Sequence, residues 1–100
     1  MEQKSVLNCP DGRAFDLTMR WDDKIKDSEH VYPILFEAVD RATGRKLKMP
    51  REIATFAFGD PLENVGERCR LYYDGSREAM TAHYVEMAYR RVTDWIRRGR

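Results

Sequence analysis

The most regular hydrophobic pattern in the chain lies in its last quarter, from Ser76 to Arg98. Apolar residues recur there at three- and four-residue steps, which is the period of an α-helix. The pattern predicts one long helix, with Ser76 as its N-cap and the positive charges of Arg97 and Arg98 at its C-terminal end. The apolar positions are Val85, Ala88, Val92 and Ile96, with Tyr84, Tyr89 and Trp95 beside them.

The N-terminal part of the chain instead alternates between apolar and polar residues, which is typical of half-buried strands. Ser5 to Cys9 and Ala14 to Trp21 are two such segments. Pro10-Asp11-Gly12 separates them and has the composition of a tight turn, so the two segments predict a hairpin. One face of the second strand would carry Phe15, Leu17, Met19 and Trp21, and the other Asp16, Thr18 and Arg20.

Three further segments are also interpreted as strands: His30 to Asp40, Lys46 to Met49 and Glu67 to Tyr73. In the last of these, one face would carry Cys69, Leu71 and Tyr73, and the other Arg68, Arg70 and Tyr72. Pro50 to Phe58 fits either a short helix or a strand, because Pro50 suits a first helical position while Ile, Thr and Phe favour strands. The polar segments Asp22 to Glu29 and Asp60 to Gly66 are interpreted as loops.

Together these elements predict an α+β fold in a single domain of residues 1–100. Its sheet would be mostly antiparallel with four or five strands, because the connections are too short for crossovers. One face of the sheet would pack on the long C-terminal helix, and a short helix would follow the fourth strand. Strand order, and which face the helix covers, are left open.

Residues Ile34 to Gly59 resemble a pattern found in small bacterial proteins that carry a domain of unknown function. The resemblance implies a bacterial, cytoplasmic protein whose last helix closes the domain, and it implies no activity, cofactor or ligand. It is carried by Phe36-Glu37-Ala38, Gly44, Leu47 to Met49 and Phe58-Gly59.

Composition agrees with a folded domain, since 42% of the residues are hydrophobic and 11% are aromatic. The net charge of +1 gives no overall attraction to nucleic acid or membrane, and no apolar run approaches the length of a membrane span. Only two cysteines occur, Cys9 and Cys69, and nothing marks secretion, so both are expected to be reduced and buried in a cytoplasmic protein.

No catalytic, metal or cofactor motif stands out in the chain. The possible metal ligands Cys9, His30, Cys69 and His83 lack the short spacings of structural zinc sites. No glycine-rich phosphate loop occurs, and no cysteine or serine lies beside an evident base. Enzyme activity, a metal and a cofactor are therefore not expected.

Two kinds of interaction surface are suggested by the pattern. The first, the alternative hypothesis, is a platform for single-stranded nucleic acid on the sheet face away from the helix, where cations would follow phosphates and an aromatic ring would stack on a base. The simpler interpretation of that face is solvated charge, with Asp16 and Glu37 paired across strands. The platform would consist of Arg20, Lys46, Lys48, Arg68, Arg70 and Tyr72.

The favoured hypothesis is an interaction or regulatory module that binds a protein partner, most simply a second copy of itself. The final helix carries a second apolar stripe, formed by Met80, Tyr84 and Met87, beside the stripe that runs from Val85 to Ile96. A helix that is apolar over more than one stripe often has a second partner. This stripe is the predicted site of self-association.

Overall fold

A four-stranded antiparallel sheet and a long C-terminal helix form the two layers of the fold in the computed structural model. The structure describes residues 1–22, 33–57 and 65–99, with the backbone only at 57 and 65–68. The predicted α+β class is confirmed. The predicted loop at 22–29, except for Asp22, lies outside the described residues, as do His30 and Gly59.

The sheet is a meander in which neighbouring strands pair in the order β1-β2-β3-β4. Every pair is antiparallel, as the short connections predict. The strands are β1 (Glu2–Asn8), β2 (Ala14–Arg20), β3 (Pro33–Asp40) and β4 (Thr55–Ala57), and the helices are α1 (Arg51–Ala54), α2 (Val65–Tyr72) and α3 (Arg77–Arg97).

The predicted hairpin and final helix are both present. Cys9 N–H donates to the Arg13 carbonyl at 2.8 Å, which closes the turn between β1 and β2. Gly12 has φ +90° there, a conformation that glycine adopts without steric cost. The Ser76 hydroxyl accepts a hydrogen bond from Ala79 N–H at 3.2 Å, which caps the first turn of α3.

The core lies between α3 and the sheet face that carries the apolar positions of β2. Residues of three strands pack there with one stripe of α3. The apolar strand positions and the apolar helix positions found in the sequence thus form the two sides of one interface. Trp21, Leu47 and Met49 are partly buried at its border. The core residues are Leu7, Cys9, Phe15, Leu17, Met19, Ile34, Phe36 and Ala38 from the sheet side and Ala88, Val92 and Ile96 from α3.

Strand alternation directs the remaining side chains to the opposite face of the sheet, which we call the open face. It is a mixture of charged, polar and apolar groups, and Val6 and Leu35 are about half exposed on it. The open face carries Glu2, Lys4 and Val6 of β1, Asp16, Thr18 and Arg20 of β2, and Leu35, Glu37 and Val39 of β3.

The strand predicted at Glu67 to Tyr73 is wrong, because Val65 to Tyr72 form α2. Val65 and Gly66, predicted as the end of a loop, belong to this helix, and the rest of that predicted loop, residues 60–64, lies outside the described residues. Residues two apart share a face in a strand but not in a helix, and Cys69 is 2% exposed while Leu71 is 58% exposed. Seven residues with alternating polarity are too few to separate the two periods, and Glu, Arg and Leu are good helix formers.

The segment from Lys46 to Phe58 also differs from its prediction. Lys46 makes a single bridge to Val39, and no strand is formed at Lys46 to Met49. For Pro50 to Phe58 the helix and strand alternatives both occur, one after the other. Arg51–Ala54 form the single turn of α1, and Thr55–Ala57 form β4 directly after it. The fourth strand is therefore β4, which pairs with the start of β3, and the helix that follows the fourth strand is α2.

Candidate interaction surfaces

The residues predicted to form the nucleic-acid platform do not share one sheet face. Arg20 lies on the open face, and Lys46 reaches its border through the bridge to Val39. Lys48 follows two residues later and lines a cleft beside β3. Arg70 and Tyr72 are exposed on α2, and Arg68 is in the same helix with only its backbone described.

The cations of the open face are paired with acids. Arg20 Nε donates to Glu2 Oε2 at 3.0 Å, and Glu2 and Arg20 are direct cross-strand neighbours. Lys4 Nζ lies 3.5 Å from Glu2 Oε1. Arg41 Nε lies 3.6 Å from Asp16 Oδ1, and Lys46 Nζ lies 3.9 Å from Glu37 Oε1. These pairs reduce the positive potential that a phosphate backbone would meet.

The Arg20 hydrogen bond, together with the charges of Arg20 and Lys4, holds the pKa of Glu2 below its ordinary value of 4.5. A carboxylate with a lowered pKa contributes stability above its ordinary pKa, and this contribution is lost as the pH falls through the lowered value. Glu2 is exposed, so the contribution to folding is small and the titration itself is the informative quantity.

Replacing Arg20 with glutamine is expected to raise the pKa of Glu2 towards 4.5, because the charged donor is removed. The carboxyl carbon shift of Glu2, followed by NMR from about pH 6 to 2, measures this directly. Arg41→Gln makes the same change at a cation that faces Asp16 instead, and it should leave the Glu2 titration unchanged. An unchanged Glu2 midpoint in Arg20→Gln would mean that the pair does not persist in solution.

Two of the three residues of the predicted self-association stripe on α3 are covered within the chain. Met80 is fully buried and Tyr84 is 9% exposed, and both pack on Cys69 of α2. The segment thought to be a strand therefore supplies the partner for this stripe. Met87 alone of the three is well exposed, at 43%.

The side chains of His83 and Glu86 on α3 bond to different partners. The His83 Nδ1 atom and the Tyr73 hydroxyl are hydrogen-bonded at 2.5 Å, while Glu86 accepts from Arg90 Nη2 at 2.7 Å in an i,i+4 pair. Among residues 1–22, 33–57 and 65–99, no group of three or more possible metal ligands converges. In the same residues, no helix has the length and hydrophobicity needed to cross a bilayer.

One feature that the sequence pattern missed is the outer edge of β1. Met1 and Trp21 exchange backbone hydrogen bonds at 2.7 and 3.0 Å, and Cys9 N–H bonds back to Arg13. Because hydrogen-bonding direction alternates along a strand, the odd-numbered residues of β1 face β2. The N–H and C=O groups of Glu2, Lys4, Val6 and Asn8 therefore point away from the sheet.

This outer edge has no strand beside it among the described residues, since β1 ends the strand order. The strand is seven residues long and contains no proline or glycine, whereas β4 at the other edge has three residues. The first strand of the hairpin was identified in the sequence. Its position at an edge depends on the order of the strands, which local alternation does not contain.

A second missed feature is a cleft of about 570 Å³ beside β3. The β3–β4 pairing ends at Leu35 and Thr55, and Leu47 N–H next donates to the Ala38 carbonyl at 2.8 Å. Alternation places the Phe36 N–H and C=O in the gap between these two contacts. The lining residues are Phe36, Lys46, Leu47, Lys48, Met49 and Ala54.

Comparison with known proteins found no matching family model, no matching curated protein and no matching solved structure. The resemblance of residues 34–59 to bacterial domains of unknown function therefore stays a prediction, as do the bacterial origin and the cytoplasmic location.

Proposed function

We propose that this protein is a small interaction module that associates with a second copy of itself through the outer edge of β1. The observation that supports this function is the row of outward-facing N–H and C=O groups at Glu2, Lys4, Val6 and Asn8. An edge of this length readily accepts another strand, because backbone pairing supplies affinity without requiring a particular sequence. Pairing two copies would give one continuous eight-stranded sheet.

The side chains of β1 favour one antiparallel register. With Lys4 opposite the partner's Lys4, two like charges would meet at the two-fold axis and oppose association. With Ser5 opposite the partner's Ser5, all seven residues of β1 overlap and Lys4 lies opposite the partner's Val6. No like charges are then directly opposite, and the even-numbered residues form the hydrogen-bonded pairs.

The alternative, single-stranded nucleic-acid binding, has weaker support from the described residues. Arg20 and Lys46 are both close to acids, and Arg70 and Tyr72 lie on α2 rather than beside them. Binding of labelled single strands that falls by orders of magnitude between about 50 and 200 mM salt would favour this alternative over the proposed function.

Substitution of Val6 with lysine is expected to weaken dimerisation, whereas substitution with glutamate should preserve it. In the favoured register lysine at position 6 would face the partner's Lys4, twice per dimer, while glutamate would face the same residue with opposite charge. Repulsion of about 0.5–1 kcal/mol at each of the two contacts corresponds to about a five- to thirtyfold weaker dimer. Sedimentation equilibrium of the two variants and the parent protein measures the dissociation constants.

The folding stability of the monomer should change in the direction opposite to the dimer affinity, so a change in association can be distinguished from a change in folding. Val6 lies opposite Asp16 of β2, so lysine at position 6 gains an attractive neighbour within the chain and glutamate gains a repulsive one. A weaker dimer with an unchanged or more stable fold in Val6→Lys therefore supports the β1 interface. A parent protein that is monomeric at about 1 mM would overturn the proposal.

Proline at position 4 provides a test of the backbone contact itself. The Lys4 N–H points outward, so Lys4→Pro removes a dimer donor and leaves the bonds from β1 to β2 in place. The matched change Ser5→Pro removes a donor that faces β2 and should destabilise the hairpin instead. Equal dimerisation of Lys4→Pro and the parent protein would place the interface elsewhere.

A further inference from the structure

We infer that the cleft beside β3 is a binding site for a small carboxylate that carries an apolar chain. Its volume of about 570 Å³ lies in the range of small-molecule pockets, and its lining combines apolar walls with two cations. The inference does not rest on self-association, because β1 is one edge strand of the sheet and the cleft lies towards the other edge, beside β3.

Apolar groups form most of the cleft wall. Phe36 is 6% exposed, so its ring belongs to the core, and Leu47 and Met49 are only half-buried where they border it. Ala54 of α1 also lines the cleft, and its small side chain takes up little of the space. Half-buried Leu and Met side chains gain from contact with an alkyl chain, because the contact removes their remaining apolar surface from water.

Lys48 is the cation of the cleft that is available to an anion. It is exposed and has no acidic partner among the described residues, although it lies beside an apolar wall. Lys46 also lines the cleft, but its charge is shared with Glu37, 3.9 Å away. A carboxylate at the mouth of the cleft therefore pairs with the ammonium group of Lys48.

The backbone of β3 supplies a directional donor at the same place. Phe36 N–H faces the gap between the end of the β3–β4 ladder and the Leu47–Ala38 hydrogen bond. A carboxylate oxygen placed there accepts this N–H while Lys48 neutralises its charge. A separate hollow of about 170 Å³ on the open face shares Phe36 and Lys46 with the cleft.

Octanoate is the probe that tests this site, with octylamine and octanol as ligands of matched chain length. Titration of the ¹⁵N-labelled protein should give saturable amide shifts at Phe36, Leu47 and Lys48 with octanoate, at a dissociation constant of about 1 mM or lower. Octanol should bind more weakly than octanoate, because the charged contacts are absent. Absence of saturable shifts at about 20 mM octanoate would overturn the inference, as would equal binding of octanol.

The variant Lys48→Glu reverses one charge at the mouth of the cleft. It should weaken octanoate about three- to tenfold and strengthen octylamine, an inversion that general unfolding cannot produce. Arg70→Glu makes the same charge change at an exposed position on α2 and should leave both ligands unaffected. Equal octanoate affinity in Lys48→Glu and the parent protein would contradict the role of Lys48, and peptide C-terminal carboxylates tested in the same way would distinguish a peptide from a free acid as the source.

Discussion

Replacing Phe15 with alanine is expected to lower the free energy of unfolding by about 3–5 kcal/mol. Phe15 is 1% exposed, at the centre of the layer that joins β2 to α3, and it is among the largest fully buried side chains. Its removal leaves a cavity that neighbouring strands cannot close without breaking their register. Arg13 also loses the ring over which its guanidinium lies, at 5.4 Å. The loss is a large fraction of the stability of a domain of this size.

Urea denaturation at one fixed protein concentration measures this effect, because association would otherwise contribute to apparent stability. Leu35→Ala is the matched control, since Leu35 is an apolar residue of the same sheet but is 47% exposed on the open face. Its effect should be about 1 kcal/mol or smaller. Comparable losses in the two variants would show that the buried and open faces of the sheet have been assigned incorrectly.

Truncation of Met80 to alanine should cost about 2–5 kcal/mol of unfolding free energy. Met80 is fully buried between α3 and α2, where it packs with Cys69 and Tyr84. This loss would arise within one chain, because α2 supplies the surface that the second stripe of α3 requires. Thermal unfolding and urea denaturation of Met80→Ala therefore test the packing of α2 on α3.

Met87→Ala is the control for that experiment, because Met87 lies on the same helix and is 43% exposed. Its effect on unfolding should stay within about 0.5 kcal/mol. Dependence on protein concentration separates packing from association. If the loss in Met80→Ala disappeared at high protein concentration, Met80 would lie in an interface between copies and the stripe would be a self-association site after all.

The two proposed interactions use opposite edges of one sheet. Self-association at β1 depends on outward backbone groups, and carboxylate binding beside β3 depends on a gap in the strand pairing. Both arise because a short meander leaves its edges unpaired, and charged side chains then select the register at β1 and the ligand beside β3. A dimer formed through β1 would leave Lys48 and Met49 accessible.

The sequence by itself determined the elements whose pattern is long or whose turn chemistry is specific. For α3, 21 residues at helical period cannot be accommodated on one face of a strand, and Ser76 marks where the helix begins. For β1 and β2, alternation around Pro10-Asp11-Gly12 identified the hairpin and separated an apolar from a polar set of β2 side chains. The sequence also predicted that one sheet face packs on α3, and the structure decided that it is the face with Phe15, Leu17 and Met19.

The tertiary structure decided the elements that are short. Glu67 to Tyr72 alternates like a strand, but burial of Cys69 against Met80 and Tyr84 favours a helix, and exposure of Leu71 costs little. The segment predicted as a strand at Lys46 to Met49 makes only the bridge from Lys46 to Val39. The strand that pairs with β3 is β4 instead, with Thr55 opposite Leu35. Over three to eight residues local preference is weak, so contacts with distant parts of the chain determine the conformation.

The same division applies to the candidate sites. Residue types and charges were visible in the sequence, but strand order made β1 an edge and the end of the β3–β4 ladder opened the cleft at Phe36. An unpaired backbone group is a property of the assembled sheet, because every residue of β1 carries the same N–H and C=O whether or not a neighbour is present. Local sequence therefore determined which surfaces are apolar, and the packing of distant segments determined which of them remain accessible.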